Sequence, residues 1–279
     1  MKKVLCFVLA AVMMLSMVAC GGEDATAKVI DVELTQEEYA FGVDKKQPEL
    51  LKQVNDFIAE IMENGKFDEI CDHYFGDGEP VAVTSAEQDD SKDQLLVATN
   101  AEFAPFEYKE GDKFYGIDME IAALLAEELG KELVIVNMDF DAVCLSVGQQ
   151  KADIAMAGLT VKEDRKEHVE FSTTYYNAAQ KIVVKSDNTE FDDCKDAAAV
   201  EAILKEKDNS CKIGVQNGTT GQFYCEGDEE WGFDGFDVET KGYKNGSLAI
   251  QDMLNGNIDY VIIDSAPAAA ISKAINEMR

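Results

Sequence analysis

Residues 157–172 read AGLTVKEDRKEHVEFS, and the rest of the chain is best understood outward from them. They follow Asp153–Met156, a short apolar run with the length and bounds of a buried strand. Gly158 lets a backbone come close to a ligand, and Thr160 offers a hydroxyl together with an N–H. Arg165 stands among acidic and polar neighbours, where no buried structural role is evident. A guanidinium is the side chain best suited to grip a carboxylate through two parallel hydrogen bonds. Strand, glycine turn, hydroxyl and arginine together read as a carboxylate clamp. A lone arginine in a loop is more often one more surface charge, so the clamp needs support from elsewhere.

The flanking sequence alternates strand and helix. Upstream, Leu95–Ala98 reads as a strand, and Asp118 as the N-cap of a helix striped by Ile121, Leu124, Leu125 and Leu129 and closed by Gly130. Leu133–Val136 is the next strand, and a helical turn at Val143–Val147 leads into the clamp. Downstream, strands are expected at Lys181–Lys185, Lys212–Val215 and Ile258–Ile263, with helices at Ala197–Lys207, Leu248–Leu254 and from Pro267. Such alternation predicts an α/β protein with largely parallel sheets. Towards the N-terminus, Val29–Leu34 and Tyr39–Val43 read as strands. Pro48 opens an amphipathic helix with Leu50, Leu51, Val54, Phe57, Ile58 and Ile61 on one face, and a shorter helix follows Asn64 and Gly65. Asp77–Asp93 is acidic and aperiodic, the composition of a linker.

With 279 residues the chain has ample core for one large domain or two lobes. Its 25 basic and 55 acidic residues give a net charge of −30, which argues against nucleic acid and anionic lipid as partners. Lys2 and Lys3 followed by the apolar Val4–Val18 form a targeting segment, short for a membrane span. Met17-Val18-Ala19-Cys20 resembles the processing site of bacterial lipoproteins. That resemblance implies removal of residues 1–19, lipid on Cys20 and a tether over 20–27; an ordinary signal peptide with a nearby Cys is the alternative. No C-x-x-C spacing occurs and only His73 and His168 are present, so neither a metal, a cofactor nor a Cys–His pair is expected. A disulfide among Cys194, Cys211 and Cys225 and simple buried thiols both stay open.

The clamp stretch resembles the signature of type II amino-acid-binding proteins of bacterial ABC transporters, the solute-binding proteins of family 3. In that family an AGxTxxxxR segment supplies the glycine carbonyl, the threonine and the arginine that hold a ligand's α-amino and α-carboxylate groups. Gly158, Thr160 and Arg165 match it position by position. LLVATNAEFAPFEY, from Leu95, resembles the usual mature start of a member, whereas LTQEEYAFGVDKK and the helices after it, from Leu34, resemble the usual end. The chain's last residues, AISKAINEMR, stand where a member would run on into KVIDVELTQEEY, which here begins at Lys28. The resemblance implies a two-lobed, type II periplasmic-binding-protein-like fold, circularly permuted. Each lobe would be a mainly parallel sheet flanked by helices, with two crossover hinge strands. Residues 37–183 would form lobe 1, with 77–94 as the acidic linker joining the ancestral termini, and 184–279 plus 28–36 would form lobe 2 and hinge.

The same resemblance sets Asn100 near the ligand side chain, with Phe103 and Phe140 as aromatic walls, and leaves Phe106 to the core. VQNGTTG offers Gln216, Thr219 and Thr220 at a helix start, where free N–H groups favour an anion. Asp264 ends a buried apolar strand and wants a cationic partner, which the ligand ammonium would be; it also fits as an N-cap. Arg165 and Asp264 on opposite lobes would select an amino-acid zwitterion and couple binding to closure. The expected protein is a monomeric, lipid-anchored extracytoplasmic receptor that hands a polar amino acid to a permease and its ATPase. A cationic ligand stays open, because Glu102, Asp139 and Asp141 stand nearby. Two rivals share the scaffold: a cyclohexadienyl dehydratase-like enzyme, with Glu102 as the one nameable acid, and a sensory module for a separate signalling partner.

Overall fold

The computed structural model describes residues 25–279; the targeting segment and Cys20 lie outside the described residues. The chain opens with β1 (Ala27–Val29), β2 (Glu37–Tyr39), β3 (Gly42–Asp44), α1 (Pro48–Glu63) and α2 (Lys66–Phe75). It continues through β4 (Gln94–Thr99), β5 (Glu102–Phe103), β6 (Glu107–Glu110), β7 (Lys113–Tyr115), α3 (Ile117–Glu128) and β8 (Glu132–Asn137). Next come α4 (Val143–Gly148), β9 (Ile154–Ala155), α5 (Glu163–Lys166), β10 (Val169–Phe171), β11 (Tyr176–Ala178) and β12 (Gln180–Lys185). The last part holds α6 (Ala197–Leu204), β13 (Lys212–Gln216), α7 (Thr220–Glu226), β14 (Glu239–Tyr243), α8 (Gly246–Leu254), β15 (Tyr260–Asp264) and α9 (Ser265–Glu277).

These strands build two lobes. The first sheet has the order β10-β3-β9-β4-β8, and its β9, β4 and β8 run parallel. The second has the order β1-β12-β15-β13-β14, with β15, β13 and β14 parallel. In each sheet the two remaining strands add antiparallel at one side. Central β4 and β15 are apolar runs buried on both faces, as parallel strands under helices must be. Between the sheets β2 and β11 pair antiparallel, Tyr39 opposite Tyr176 and Glu37 opposite Ala178, and form the double crossover. All of β12 belongs to the second sheet, so the chain crosses before Lys181 and not at residue 183.

Local chemistry explains the elements. Pro48 sits in the first turn of α1, and Leu50, Val54, Phe57, Ile58 and Ile61 form its buried stripe. The cap of α3 is Gly116, not Asp118. Gly116 has φ +121°, and a Cβ there would lie 2.1 Å from the Phe106 carbonyl oxygen, so only glycine fits. Asp118 lies inside α3, fully buried, and receives the Gly158 N–H at 2.9 Å and the Tyr175 hydroxyl at 2.7 Å.

Other expectations are corrected by tertiary pairing. Regular pairing in Val29–Leu34 ends at Val29, though Ile30 and Leu34 still donate to the carbonyls of Ile182 and Gln180. Tyr39–Val43 divides into β2 and β3, with Ala40 and Phe41 carrying the chain out of the hinge. The segment Asp77–Asp93 packs on lobe 1. Val83 is buried and bridges Phe114, Ala86 donates to the Leu133 carbonyl, and Ser85 Oγ accepts the Ile135 N–H. The described cysteines are free thiols, and none forms a disulfide among the described residues.

The two ends of the described chain meet. Asn276, in α9, accepts the Ala27 N–H through Oδ1 at 2.8 Å and donates through Nδ2 to the Ala27 carbonyl at 2.9 Å. Arg279 Nη1 donates to the Ala25 carbonyl at 3.1 Å.

Candidate ligand-binding site

The clamp loop leaves β9 and enters the seam between the lobes. Gly158 has φ +52°, a left-handed conformation, and a Cβ there would stand 3.0 Å from the Phe103 ring. Thr160 is buried and donates to Glu37 Oε2 at 2.8 Å. Arg165 spans the seam: Nη1 donates to the Thr160 carbonyl at 2.7 Å and Nη2 to the Gly218 carbonyl of the second lobe at 3.0 Å. Its guanidinium carbon stands 5.2 Å from the Phe140 ring centroid. Arg165 and Phe140 also line a cavity of about 300 Å³ with Leu159, His168 and Gly218.

From the second lobe, β13 delivers Gln216 and α7 begins after Thr219. Gln216 is buried, and its Nε2 donates to Asn100 Oδ1 at 3.0 Å, joining two neutral amides across the seam. Asn100 is oriented by a second bond, Nδ2 to the Met138 carbonyl at 2.8 Å. Gln216 Oε1 is buried with no protein partner. Thr219 Oγ1 donates back to the Gln216 carbonyl at 2.8 Å, and Thr220 Oγ1 lies 3.4 Å from Thr160 Oγ1.

Asp264 ends β15 at the N-cap position of α9 but makes no capping bond. Its Oδ1 instead accepts the Tyr39 hydroxyl at 2.5 Å. Burial and the adjacent Glu37 carboxylate push the Asp264 carboxyl up to about 7. Glu37 accepts from Thr35 Oγ1 at 2.6 Å and Gln180 Nε2 at 3.0 Å, besides Thr160. The partners of this carboxylate pair are hydroxyls and an amide, none of them cationic. Glu107 and Asp118 add to the acidity. Burial raises the Glu107 carboxyl well above its ordinary range, and both its oxygens lack a protein partner. Burial also raises Asp118, to about 7. A buried acidic group at Asp264 and the Arg165 guanidinium thus lie on different lobes of the same seam.

The structure gathers Phe103, Gly158, Thr160, Arg165, Phe140, Gly218 and Thr220 around one seam, with Asn100 and Gln216 paired across it and Asp264 at the hinge. Sequence reading missed Glu37, Tyr39, Gln180, Glu107 and Asp118. The available signal was weak: Glu37 and Glu107 are acids in polar stretches, with nothing in their neighbours to mark them as buried. Glu102 is exposed and accepts from Asn245 at 2.6 Å, and Asp139 is exposed beside Lys244. Both sit on the rim.

The profile of the bacterial extracellular solute-binding proteins, family 3, matches residues 95–279. The chain belongs to this family. The arginine-binding extracellular protein ArtP of Bacillus subtilis is 29% identical over 191 residues, covering 67% of this chain and 68% of that protein. Among solved structures, an ancestral arginine-binding protein bound to arginine is 34% identical with a TM-score of 0.55, covering 66% of this chain and 75% of its own. An ancestral amino-acid-binding protein described as a precursor of cyclohexadienyl dehydratase is 31% identical, with a TM-score of 0.55, over 65% of this chain and 74% of its own. Such two-lobed receptors are the fold class of this family 3 protein, and no helix among its described residues is long and apolar enough to cross a membrane.

Proposed function

We propose that this family 3 protein captures a polar amino acid between its lobes and delivers it to an ABC importer. The observation that carries the reading is the charge layout. An uncompensated buried carboxylate pair, Glu37 and Asp264, faces the hinge, and the Arg165 guanidinium stands across the seam. A zwitterion satisfies both. The roles proposed for Gly158, Thr160, Thr219 and Thr220 are to hold its head groups, and those of Phe103, Phe140, Asn100 and Gln216 are to bound its side chain. The Asn100–Gln216 amide pair favours a neutral polar side chain over a cationic one. A lipid on Cys20 would keep the receptor at the outer face of the membrane.

Circular permutation belongs to the same proposal. The adjacency of Ala27 and Asn276 supports it, as does a family match beginning only at residue 95 while β1, β2 and β3 complete the sheets. A dehydratase reading has one observation in its favour: Glu107 is a fully buried carboxyl whose pKa burial pushes well above the ordinary range.

A thermal-shift screen of residues 25–279 against the twenty amino acids tests the first reading. A ligand at a hundredfold excess over Kd stabilises the fold by about 2.7 kcal/mol. A shift with glutamine or another polar amino acid supports the proposal, a shift with arginine alone moves the ligand to the cationic class, and no shift overturns it. Turnover of prephenate or arogenate would establish the dehydratase instead.

A further inference from the structure

Between Thr160 and Arg165 the clamp loop carries Lys162, whose side chain is only 7% exposed. Its Nζ lies 3.1 Å from Asp164 Oδ2 on its own loop. It also lies 3.2 Å from Asp228 Oδ2 and 3.1 Å from Glu230 Oε2, both from the second lobe. The Phe223 ring, from α7, covers the ammonium at 4.8 Å. Glu230 uses its other oxygen on the same loop, accepting the Glu163 N–H through Oε1 at 2.8 Å. The segment presenting these carboxylates is itself fixed: Asp228 bridges Phe233, and Trp231 stacks on Phe233 at 5.6 Å.

An ammonium taken out of water is costly unless counter-charges and hydrogen bonds surround it. Two of the three counter-charges of Lys162 come from the opposite lobe, so parting the lobes strips them away. Two polar contacts at the rim of the seam, Lys244 with Asp139 and Asn245 with Glu102, are exposed and contribute little, and the buried Gln216–Asn100 bond joins neutral groups. We infer that Lys162 is a positioning residue, an inter-lobe latch: gripped by Asp228 and Glu230, it biases the lobes towards closure and holds the clamp loop against the second lobe. The latch goes beyond the amino-acid reading and requires only that the two lobes separate. It acts on the population of closed molecules, and through that on how firmly any occupant is retained.

Trp231, the only tryptophan in the chain, sits next to Glu230 and reports on the latch directly. The experiment measures Trp231 emission and the radius of gyration in solution scattering, without ligand, while NaCl rises from about 20 mM to about 500 mM, a range that shortens the screening length several-fold. In the wild type, added salt should red-shift the emission and enlarge the radius. Lys162→Met should already show the enlarged, red-shifted state at low salt, with a closed population about tenfold lower, and should respond little to salt. Glu230→Gln changes only a part-exposed side chain and should behave alike, which guards against a Lys162→Met protein that folds poorly. Lys162→Arg should retain the wild-type response, because a guanidinium keeps the charge that Asp164, Asp228 and Glu230 surround. Identical radii and emission for wild type, Lys162→Met and Glu230→Gln at low salt would overturn the latch, as would a Lys162→Arg protein as open as Lys162→Met. No readout uses an amino acid, so failure of the ligand screen and failure of the latch remain separate results.

Discussion

Tyr39 and Asp264, 225 positions apart, share a hydrogen bond of 2.5 Å at the hinge end of the seam. Tyr39 lies in β2, before the residues matched by the family profile, and Asp264 lies at the end of β15, within them. The bond therefore joins the early segment to the proposed ammonium site. It also lowers the acidity cost of Asp264, because the hydroxyl favours the carboxylate over the acid.

That relationship sets a pH dependence. In the free protein Asp264 titrates near pH 7, raised from 3.8 by burial and by Glu37. An ammonium ligand favours the ionised form, so affinity should climb as pH rises towards about 7 and then level off, with protons released on binding below that point. Tyr39→Phe should move the midpoint upward, and Asp264→Asn should flatten the profile. Calorimetry in buffers of different ionisation enthalpy between about pH 5.5 and 8.5 reads both effects.

Stability of the free protein should carry the opposite sign. Asp118 and Asp264 hold protons in the folded state that the unfolded chain has already lost, since each is raised from 3.8 to about 7. Their contribution is complete below the unfolded value and is lost as pH rises through the folded one. Melting temperature measured against pH should show Asp118→Asn losing less stability than the wild type across that window.

Arg165→Ala should weaken ligand binding about 100-fold, the loss of two charge-assisted hydrogen bonds of about 1.5 kcal/mol each. Arg165→Lys should recover only part, because a lysine cannot present two parallel donors. Titration calorimetry with the amino acid found by the thermal-shift screen reads the difference.

Gly158→Ala would force an L-residue to φ +52° with its Cβ 3.0 Å from the Phe103 ring. A cost of about 1–2 kcal/mol is expected from the backbone alone. Affinity should fall with it, since relief of the contact displaces Phe103, the proposed wall of the side-chain slot. Urea unfolding and binding measured on the same variant separate the two effects.

Asn276→Ala should cost about 1–3 kcal/mol in urea unfolding, because it orphans the N–H and carbonyl of Ala27. Ligand affinity should stay unchanged.

Much of this was legible in the residues. α1, α8 and the strands β4, β12 and β13 announce themselves through apolar period and length, and the AGxTxxxxR spacing picked out the loop whose Arg165 reaches the second lobe. The rest depended on partners that no local pattern reveals. β14, ETKGY, is an edge strand with little apolar signal, and the β5–β7 hairpin is rich in charge. Asp118 looked like a cap because carboxylates favour helix starts, yet the close approach of Gly116 to Phe106 moved the start and buried the acid. Glu37 and Glu107 carry no sequence mark of burial. Only the assembled fold brings them near Asp264.

The placement of β1 has a further consequence for how the chain matures. Among the described residues it is the first strand to leave the ribosome, yet its partners are Val183–Lys185 and Asn276. Until those residues arrive, a strand edge and the apolar residues Ile30, Val32 and Leu34 wait uncovered. Contacts across such separations close slowly, and unpaired edges attract other chains. The second lobe can seal this edge only after residues 183–185 and Asn276 have emerged, about 150 to 250 positions behind β1.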